Sequence, residues 1–516
     1  MNKTPRSRPP GISIPGGLRA RRFGNERTIM NTRWSILIPI AFLAAACTAV
    51  GPNYHKPAVE TPGAFKEAPP AGWKTAQPRD AALRGKWWEM FGDPRLDALE
   101  EQVSVSNQTL AQAEAQFRGA RAAVALARAG LFPTVTAGAQ VTESRAGTSR
   151  GSSQSSNGNN SGSGTATVYQ VPIDFTWELD LWGRVRRQVE ANVAAAQASA
   201  ADIENLRLSL QAELAVDWFQ LHGLDEQDQL LKATVADYEK ALQINVNRHN
   251  QGVASGADVA QAETQLEAAR VSEVDLGVAR AEFEHAIAIL TGKAPADVTV
   301  PPAPIHFAPP VVPVGIPSEL LERRPDIAAA ERRVAAANAD IGVATAAYFP
   351  TLSLNASGGF ASTSLGSLFS LPNRFWSLGP QLLATVFDGG RRRAGVAQAE
   401  ANYDATVAAY RESVLEAFQG VEDNLAALRI LADEARQQDA ATAASERALA
   451  ISRNRYQAGI ATYLEVIVVQ NAAYSNQRNT VDLRVRQMIA SVNLIRALGG
   501  GWEAGELPSG AAVAAR

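Results

Sequence analysis

The 516-residue sequence has one cysteine, four methionines and five dispersed histidines. A single cysteine excludes an internal disulfide framework and any metal site built from a cysteine cluster. The histidines show no ligand spacing, so neither a dedicated metal site nor a cofactor is expected. A nucleophile elbow and a phosphate-binding loop are also missing, which argues against an enzyme. With 49 Lys+Arg against 52 Asp+Glu, the formal charge is -3, so nucleic acid is not an expected partner.

The N-terminal region lacks a hydrophobic run of transmembrane length. Residues 34–46 are apolar, but roughly 13 residues are too few for a spanning helix, which needs about 20. Preceded by Met30 and followed by Cys47, this run is typical of a secretory signal peptide. The residues before Cys47 resemble a bacterial lipobox, which predicts a covalent lipid on Cys47; an inert buried thiol is the alternative. Residues 1–29 precede a complete signal, so Met30 is the expected start.

Four segments alternate apolar and polar residues with the period of two that indicates β-strands. They are residues 131–141, 169–181, 352–360 and 376–386. Each has about the length of a tilted outer-membrane strand, roughly 9 to 11 residues, although a half-buried strand of a soluble sandwich would alternate in the same way. Pro172 and Pro380 suit neither interpretation well, because proline cannot donate to the ladder and favours edges or bulges. The polar loop 146–164 is typical of the long loops that outer-membrane barrels expose outside the cell.

Apolar residues recur every three or four positions in two very long stretches, 184–250 and 391–457. Neither stretch contains proline, and each has only one or two glycines. A continuous helix of this length would extend roughly 100 Å at about 1.5 Å per residue, more than a compact domain needs. Further helices are predicted before and after each stretch, at residues 107–130, 258–290, 326–348 and 462–498.

The chain is an internal repeat, and one numerical offset demonstrates it. Adding 207 to a residue number relates the halves, taking Gly183 to Gly390 and Asp258 to Glu465. Each half is therefore predicted to contain a helix, two strands, a very long helix, a turn and another helix. The predicted regions are an upstream extension and signal peptide (1–46), an N-terminal wrapping segment (47–106), a first repeat (107–293), a proline-rich linker (294–324), a second repeat (325–498) and a C-terminal tail (499–516).

Four strands cannot close a barrel, and open strand edges are not tolerated in lipid. Known membrane barrels start near eight strands, so the residues predict an oligomer, either a dimer or a trimer.

Three motifs resemble those of the TolC/OprM family of outer-membrane efflux ducts, in its lipoprotein branch. They are the segment 47–57, the pair Trp87 and Trp88 with the following Phe-Gly-Asp-Pro, and the stretch 320–350, which begins Leu-Leu-Glu-Arg-Arg-Pro-Asp-Ile. The resemblance implies a mixed α and β membrane protein. In it, three chains of four strands form one 12-stranded β-barrel, joined to a periplasmic α-helical tunnel.

The same resemblance implies partners and a function. The partners are two further copies of the chain, outer-membrane lipid, a periplasmic adaptor and an inner-membrane pump of the RND type. The implied function is passive export of small toxic molecules or drugs, with no covalent chemistry and no cofactor beyond the lipid on Cys47. A protein-secretion duct and a non-transporting, stalk-like scaffold are the alternatives.

Each turn after a long helix carries a glycine, an arginine before it and a carboxylate after it. The two sets are Arg248, Gly252, Asp258 and Arg455, Gly459, Glu465. Three chains would gather six carboxylates at one mouth, so a closed mouth requires the arginines as counter-charges. The resemblance implies a gate and adaptor-docking surface here, although Ala461 stands where some members have a basic residue, which leaves the closing contacts open. The alternative is a solvated turn with surface ion pairs worth roughly 0 to 1 kcal/mol each.

Both long helices begin with arginines, where cations are disfavoured by the helix dipole. The residues are Arg184, Arg186, Arg187 and Arg391, Arg392, Arg393. Because the strands leave the membrane at these points, we predict that lipid phosphates of the inner leaflet offset this cost. Pairing with Asp180 and Asp388 is the alternative.

Overall fold

The computed structural model describes residues 49–68, 85–145, 165–304, 309–314 and 317–515. These residues belong to one folded unit, Thr48–Arg516. The predicted signal peptide, Cys47 and the polar loop 146–164 lie outside the described residues. Within those ranges, every helix is too short or too polar to traverse a bilayer.

The described part of the first half of the chain contains four α-helices and three strand segments. Carboxylate and amide caps start the short helices: Asp93 accepts a hydrogen bond from Arg95 N and Asn107 accepts one from Leu110 N, satisfying free amides of the first turn. The elements are α1 (Pro94–Ser106), α2 (Gln108–Ala129), β1 (Thr134–Ala137), β2 (Gln140–Arg145), β3 (Thr165–Leu179), α3 (Arg184–Asn250) and α4 (Gly256–Leu290).

The second half repeats this order. Pro325 occupies the first turn of its helix, where its missing N–H has no helical partner to lose. The elements are α5 (Leu320–Arg323), α6 (Pro325–Ala346), β4 (Thr351–Ser362), β5 (Arg374–Leu383), α7 (Arg391–Gln457), α8 (Tyr463–Ala497) and a final short helix, α9 (Gly510–Ala514). Helices α3 and α7 each have 67 residues, and α4 and α8 each have 35. The predicted long helices and their turns are therefore confirmed.

The strands form one antiparallel sheet in which β3 and β4 are central. The single strand predicted at 131–141 is divided into β1 and β2, which both pair with β3 in one continuous register. Pro172 explains the division: Gly138 N donates to Pro172 O at 3.0 Å, but Pro172 has no N–H to return the bond. Pro380 lies in β5, an edge strand, as expected for proline.

The sheet has two free edges, β1 with β2 on one side and β5 on the other. No residue of its described strands is buried. Val135, Ile173 and Trp376 are all more than half exposed. Among the described residues, this sheet therefore has no fully buried face, and its two outer edges have no strand partner.

The main hydrophobic core lies around the middle of the long helices. Trp87 and Trp88 are buried there with their rings edge to face at 5.9 Å, so they act as packing anchors. Trp218 and Phe219 of α3 and Met488 of α8 belong to the same cluster. Two smaller clusters lie nearer to the turns that follow α3 and α7.

Candidate functional site

The start of each long helix is capped by an aspartate. Asp180 accepts hydrogen bonds from Val185 N at 3.1 Å and from Arg186 N at 2.9 Å. Asp388 accepts them from Gly390 N at 3.0 Å and from Arg392 N at 3.2 Å. These carboxylates satisfy free amides of the first turn and place negative charge at the positive end of the helix dipole.

The same carboxylates pair with the arginine side chains. Arg186 Nε lies 3.3 Å from Asp180 Oδ2, and Arg392 Nε lies 2.5 Å from Asp388 Oδ2. Arg184 forms a two-bond fork with Glu178, at 2.8 and 3.0 Å. The alternative pairing with Asp180 and Asp388 is therefore present for Arg186 and Arg392, and Arg184 pairs with Glu178 instead.

Arg187 requires a larger correction, because its side chain is only 5% exposed and points into the protein. Its guanidinium donates to Val50 O at 3.1 Å, to Gly51 O at 3.3 Å and to Asn53 Oδ1 at 3.0 Å. A membrane-interface role is thus wrong for Arg187, which instead binds the N-terminal segment. Arg391 and Arg393 differ from the other four arginines because both are exposed. Within the described ranges, neither side chain has a hydrogen bond or an ion pair.

The two turns beyond the long helices are residues 251–255 and 458–462. Together with the helix ends around them, they are called the tip here. Gly252 and Gly459 adopt φ values of 72° and 74°, in the left-handed region that glycine tolerates. Ser255 and Thr462 then begin α4 and α8 with capping boxes, whose returning carboxylates belong to Asp258 and Glu465. The two predicted gate carboxylates therefore also cap their own helices.

The tip arginines differ in their contacts. Arg455 lies 4.0 Å from Glu465, with both side chains about half exposed. Arg248 instead donates to Tyr456 O at 3.0 Å, and its guanidinium lies over the Tyr456 ring, 4.6 Å from the ring centre. Among the described residues, Arg248 forms no ion pair with Asp258.

Tyrosines connect the two halves of the tip, and the sequence analysis missed them. Tyr456 OH donates to Asn245 Oδ1 at 2.7 Å, and the Tyr456 and Tyr463 rings lie 5.6 Å apart. Tyr238 OH donates to Asn471 Oδ1 at 2.8 Å. Burial raises the pKa of Tyr463 to about 12. The only available sequence signal was the presence of aromatic residues beside the second glycine turn.

Within the described ranges, no group of three or more histidine, cysteine, aspartate or glutamate side chains is arranged to hold a metal ion. The arrangement at the tip consists of helix caps, ring contacts and an ion pair.

Comparison with known proteins shows which family has this architecture. The family model described as outer membrane efflux protein matches residues 99–293 and 316–500. The chain is 34% identical over 471 residues to the outer membrane protein OprJ of Pseudomonas aeruginosa, covering 90% of this chain and 95% of that protein. It is 31% identical over 465 residues to the toluene efflux pump outer membrane protein TtgC of Pseudomonas putida, covering 90% and 94%. The solved outer-membrane channel OprN superposes with a TM-score of 0.78 at 32% identity, covering 88% of this chain and 99% of that one.

These similarities confirm the predicted TolC-like fold, the outer-membrane location and the efflux function. Both repeats are matched, and the relatives are similar along nearly their whole length. The chain therefore belongs to the outer membrane efflux protein family.

Proposed function

We propose that this protein is the outer-membrane component of a tripartite, RND-type efflux system. It works as a homotrimeric, passive conduit that carries small toxic molecules or drugs from the periplasm to the exterior. The observation that carries the proposal is the sheet, whose described strands leave two edges unpaired and contain no buried residue.

Free strand edges are costly in lipid because their backbone groups stay unpaired, and exposed apolar strand faces are costly in water. Pairing the β1–β2 edge of one chain with the β5 edge of the next satisfies the unpaired backbone groups. Three copies close a barrel of twelve strands, within the range of known outer-membrane barrels. The apolar faces, including Val135 and Trp376, then contact lipid instead of water.

The partners follow from the family. A relative named as an efflux pump outer membrane protein supports a periplasmic adaptor and an inner-membrane pump as partners of this chain. That relative's name also specifies toluene, which supports small, apolar toxic molecules as the substrate class. The chain itself acts as a channel and performs no covalent chemistry.

Two features attach the conduit to the membrane. Cys47 carries a covalent lipid, supported by the signal peptide and lipobox before it. Arg391 and Arg393 lie at the start of α7 and are exposed, with no side-chain partner among the described residues, so their guanidinium groups can bind phosphates of the inner leaflet. Arg184, Arg186 and Arg392 lie at the same level but use carboxylates of their own chain.

The tip is the gate and the adaptor-docking surface of this conduit. Contacts between its two halves, such as Tyr456 with Asn245 and Arg248 with Tyr456, support a closed state held by hydrogen bonds and ring contacts. Asp258 and Glu465 supply six carboxylates at the mouth of a trimer, which favours cations there.

Single-channel recording in planar bilayers tests the proposal. The purified full-length protein is expected to give discrete current steps, because a closed barrel leaves a water-filled pore. A stalk-like scaffold would give no current at any protein concentration. Absence of steps in protein shown to be inserted would contradict the conduit.

A further inference from the structure

The connection between β4 and β5, residues 363–373, is called the outer loop here. Helix α6 leads into the start of β4, and α7 follows the end of β5, so the outer loop lies at the opposite end of both strands from these helices. In the proposed barrel, that end faces the exterior of the cell. The outer loop therefore lies where the protein meets the outer leaflet of the membrane.

The two faces of the sheet carry different side chains, because residues directly opposite one another on paired strands share a face. On one face the side chains are mostly apolar, including Phe175, Trp177, Leu352, Leu354, Trp376 and Leu378. On the other face they are mostly polar, including Asp174, Thr176, Ser353, Asn355, Ser377 and Gln381. The apolar face is the one that contacts lipid in a barrel with a water-filled pore, and it is called the lipid face here.

The outer loop packs against the lipid face. Phe360, near the end of β4, lies opposite Val171 of β3 and is on that face. The ring centre of Phe369 in the outer loop lies 5.6 Å from that of Phe360, with the ring planes at 66°. The outer loop is therefore folded toward the lipid-facing side of the sheet.

Hydrogen bonds within the outer loop order it while its apolar side chains point outward. Asn373 Nδ2 donates to Ser367 O at 2.6 Å and to Ser370 Oγ at 3.1 Å. The exposed apolar side chains are Leu365, Phe369 and Leu371, at 66%, 70% and 78%. Polar groups paired inside and apolar side chains outside suit contact with lipid tails better than contact with water.

The length of β4 places this contact near the outer limit of the hydrocarbon. Phe360 lies nine positions after Thr351, the first residue of β4, which is roughly 30 Å along the strand at about 3.3 Å per residue. A strand tilt of about 45° reduces this to roughly 21 Å of membrane thickness, against an apolar band about 25 Å tall. Phe360 and its neighbours thus lie near the boundary with the lipid head groups.

Arg374 adds a positive charge at this boundary. It lies directly opposite Phe360 and therefore on the lipid face, where it is the one charged residue of the described strands β3, β4 and β5. Its side chain is exposed and forms no hydrogen bond or ion pair with the part of the chain that the structure describes. Guanidinium groups bind phosphate oxygens through paired hydrogen bonds. A phosphate at the head-group level complements this charge.

We propose that Arg374, Phe360 and the outer loop form a binding site for a phosphorylated, acylated lipid of the outer leaflet. Arg374 donates to the phosphate of the lipid, and Phe369 and Leu371 contact its acyl chains. The outer loop then lies beside the barrel, within the leaflet, and leaves the mouth uncovered. This inference rests on the proposed conduit function, because the sheet contacts lipid only as part of a barrel.

Native mass spectrometry of the full-length protein in detergent tests the site, with lipid A as the phosphorylated, acylated probe. The wild-type trimer is expected to bind one lipid A molecule per chain. Arg374→Gln is expected to weaken this binding about tenfold, because it removes the charge-assisted bonds to phosphate. Arg447→Gln is the matched control, since Arg447 is exposed on α7, away from the strands. The control is expected to bind lipid A as the wild type does.

Dephosphorylated lipid A separates the phosphate contact from the acyl contact. Its binding to the wild type is expected to be about tenfold weaker than that of lipid A, whereas Arg374→Gln is expected to bind both lipids alike. Phe369→Ser is expected to weaken the binding of both lipids by the same factor. Arg374→Gln binding that still depends on the phosphates would contradict the phosphate contact, and unchanged binding to Phe369→Ser would contradict the role of the outer loop.

Two further outcomes would contradict a lipid site. Displacement of lipid A by millimolar inorganic phosphate would show a site for the free ion. A smaller share of trimer for Arg374→Gln in lipid-free detergent would show that Arg374 pairs with a carboxylate of a neighbouring copy. An intact wild-type trimer without bound lipid A contradicts the lipid site alone, whereas spectra with only single chains contradict the barrel.

Discussion

Asp258 and Glu465 carry negative charge at the tip, and each caps its own helix. We expect Asp258→Ala with Glu465→Ala to loosen the closed tip and to lower cation preference. Loss of each capping box costs about 1 kcal/mol, and loss of six carboxylates per trimer removes the local negative potential. Conductance and reversal potential under a salt gradient measure the two effects.

The control for this pair is Asp258→Asn with Glu465→Gln, which removes the charge and keeps an oxygen that can accept the capping bonds. It is expected to lower cation preference with a smaller effect on the closed state. Unchanged conductance and unchanged reversal potential in the alanine variant would refute both expected effects, the looser closed tip and the lower cation preference.

Glu100 is completely buried in α1, and neither of its carboxylate oxygens has a hydrogen-bond partner in the part of the chain that the structure describes. Burial, followed by the nearby Asp97 charge, raises its pKa well above the ordinary value. A raised folded-state pKa contributes stability at low pH that is lost as pH rises through that pKa. We therefore expect Glu100→Gln to raise the unfolding temperature at pH 8 and to have a smaller effect at pH 4.5.

The gain at pH 8 comes from removing the cost of ionising the buried carboxyl, or of keeping it protonated at a pH far above its ordinary pKa. Glu101→Gln is the matched control, since Glu101 is exposed and pairs with Lys86. A Glu100→Gln stability change that is equal at both pH values would contradict an ionisation-linked cost.

At the scale of elements, the packing of the N-terminal segment 49–68 depends on a close approach between two glycines. A side chain at Gly342 of α6 would place its Cβ 2.9 Å from Arg187 Cγ. Gly51, with φ 93°, packs directly on the Gly342 backbone. We expect Gly342→Ala to displace Arg187 and to accelerate hydrogen exchange of residues 49–53, because Arg187 then loses its bonds to Val50 O and Gly51 O.

Gly277→Ala on α4 is the control for this substitution, because nothing lies within 4 Å of its Cβ position. It is expected to stabilise its helix by about 1 kcal/mol through propensity alone. If both variants leave hydrogen exchange in residues 49–53 unchanged, close contact at Gly342 does not position the N-terminal segment.

For the whole molecule, the free edges of the sheet predict the oligomeric state. No stable membrane-inserted monomer is expected, because unpaired backbone groups at β1, β2 and β5 would face lipid. Chemical crosslinking in detergent is expected to yield a ladder that ends at three chains. A ladder ending at two, or a monodisperse single chain in mass photometry, would overturn the trimeric barrel.

Anchoring is also a property of the whole molecule. Cys47→Ser is expected to abolish labelling by radioactive palmitate, because the sequence contains no other cysteine. Trimer formation is expected to persist, since strand pairing and not the lipid closes the barrel. Persistent labelling of the variant would place the lipid elsewhere.

The sequence by itself determined the repeat, the long helices and the strand positions. These features are local: absence of proline and an apolar period of three to four specify α3 and α7, and a period of two specifies the strands. The effect of Pro172 was also local in origin, but only the paired register revealed that one strand is interrupted rather than ended.

Tertiary structure alone decided which partner each charged side chain takes. Arg187 binds Val50 O across 137 positions of the chain, and Arg429 binds Glu67 across 362. Such contacts depend on how helices approach one another. The partner of an arginine can be a lipid phosphate, a neighbouring carboxylate or a distant backbone oxygen, and the charge pattern of the sequence does not distinguish among them. The arginines at the helix starts therefore looked alike in sequence, whereas folding buried one, paired three and left two exposed.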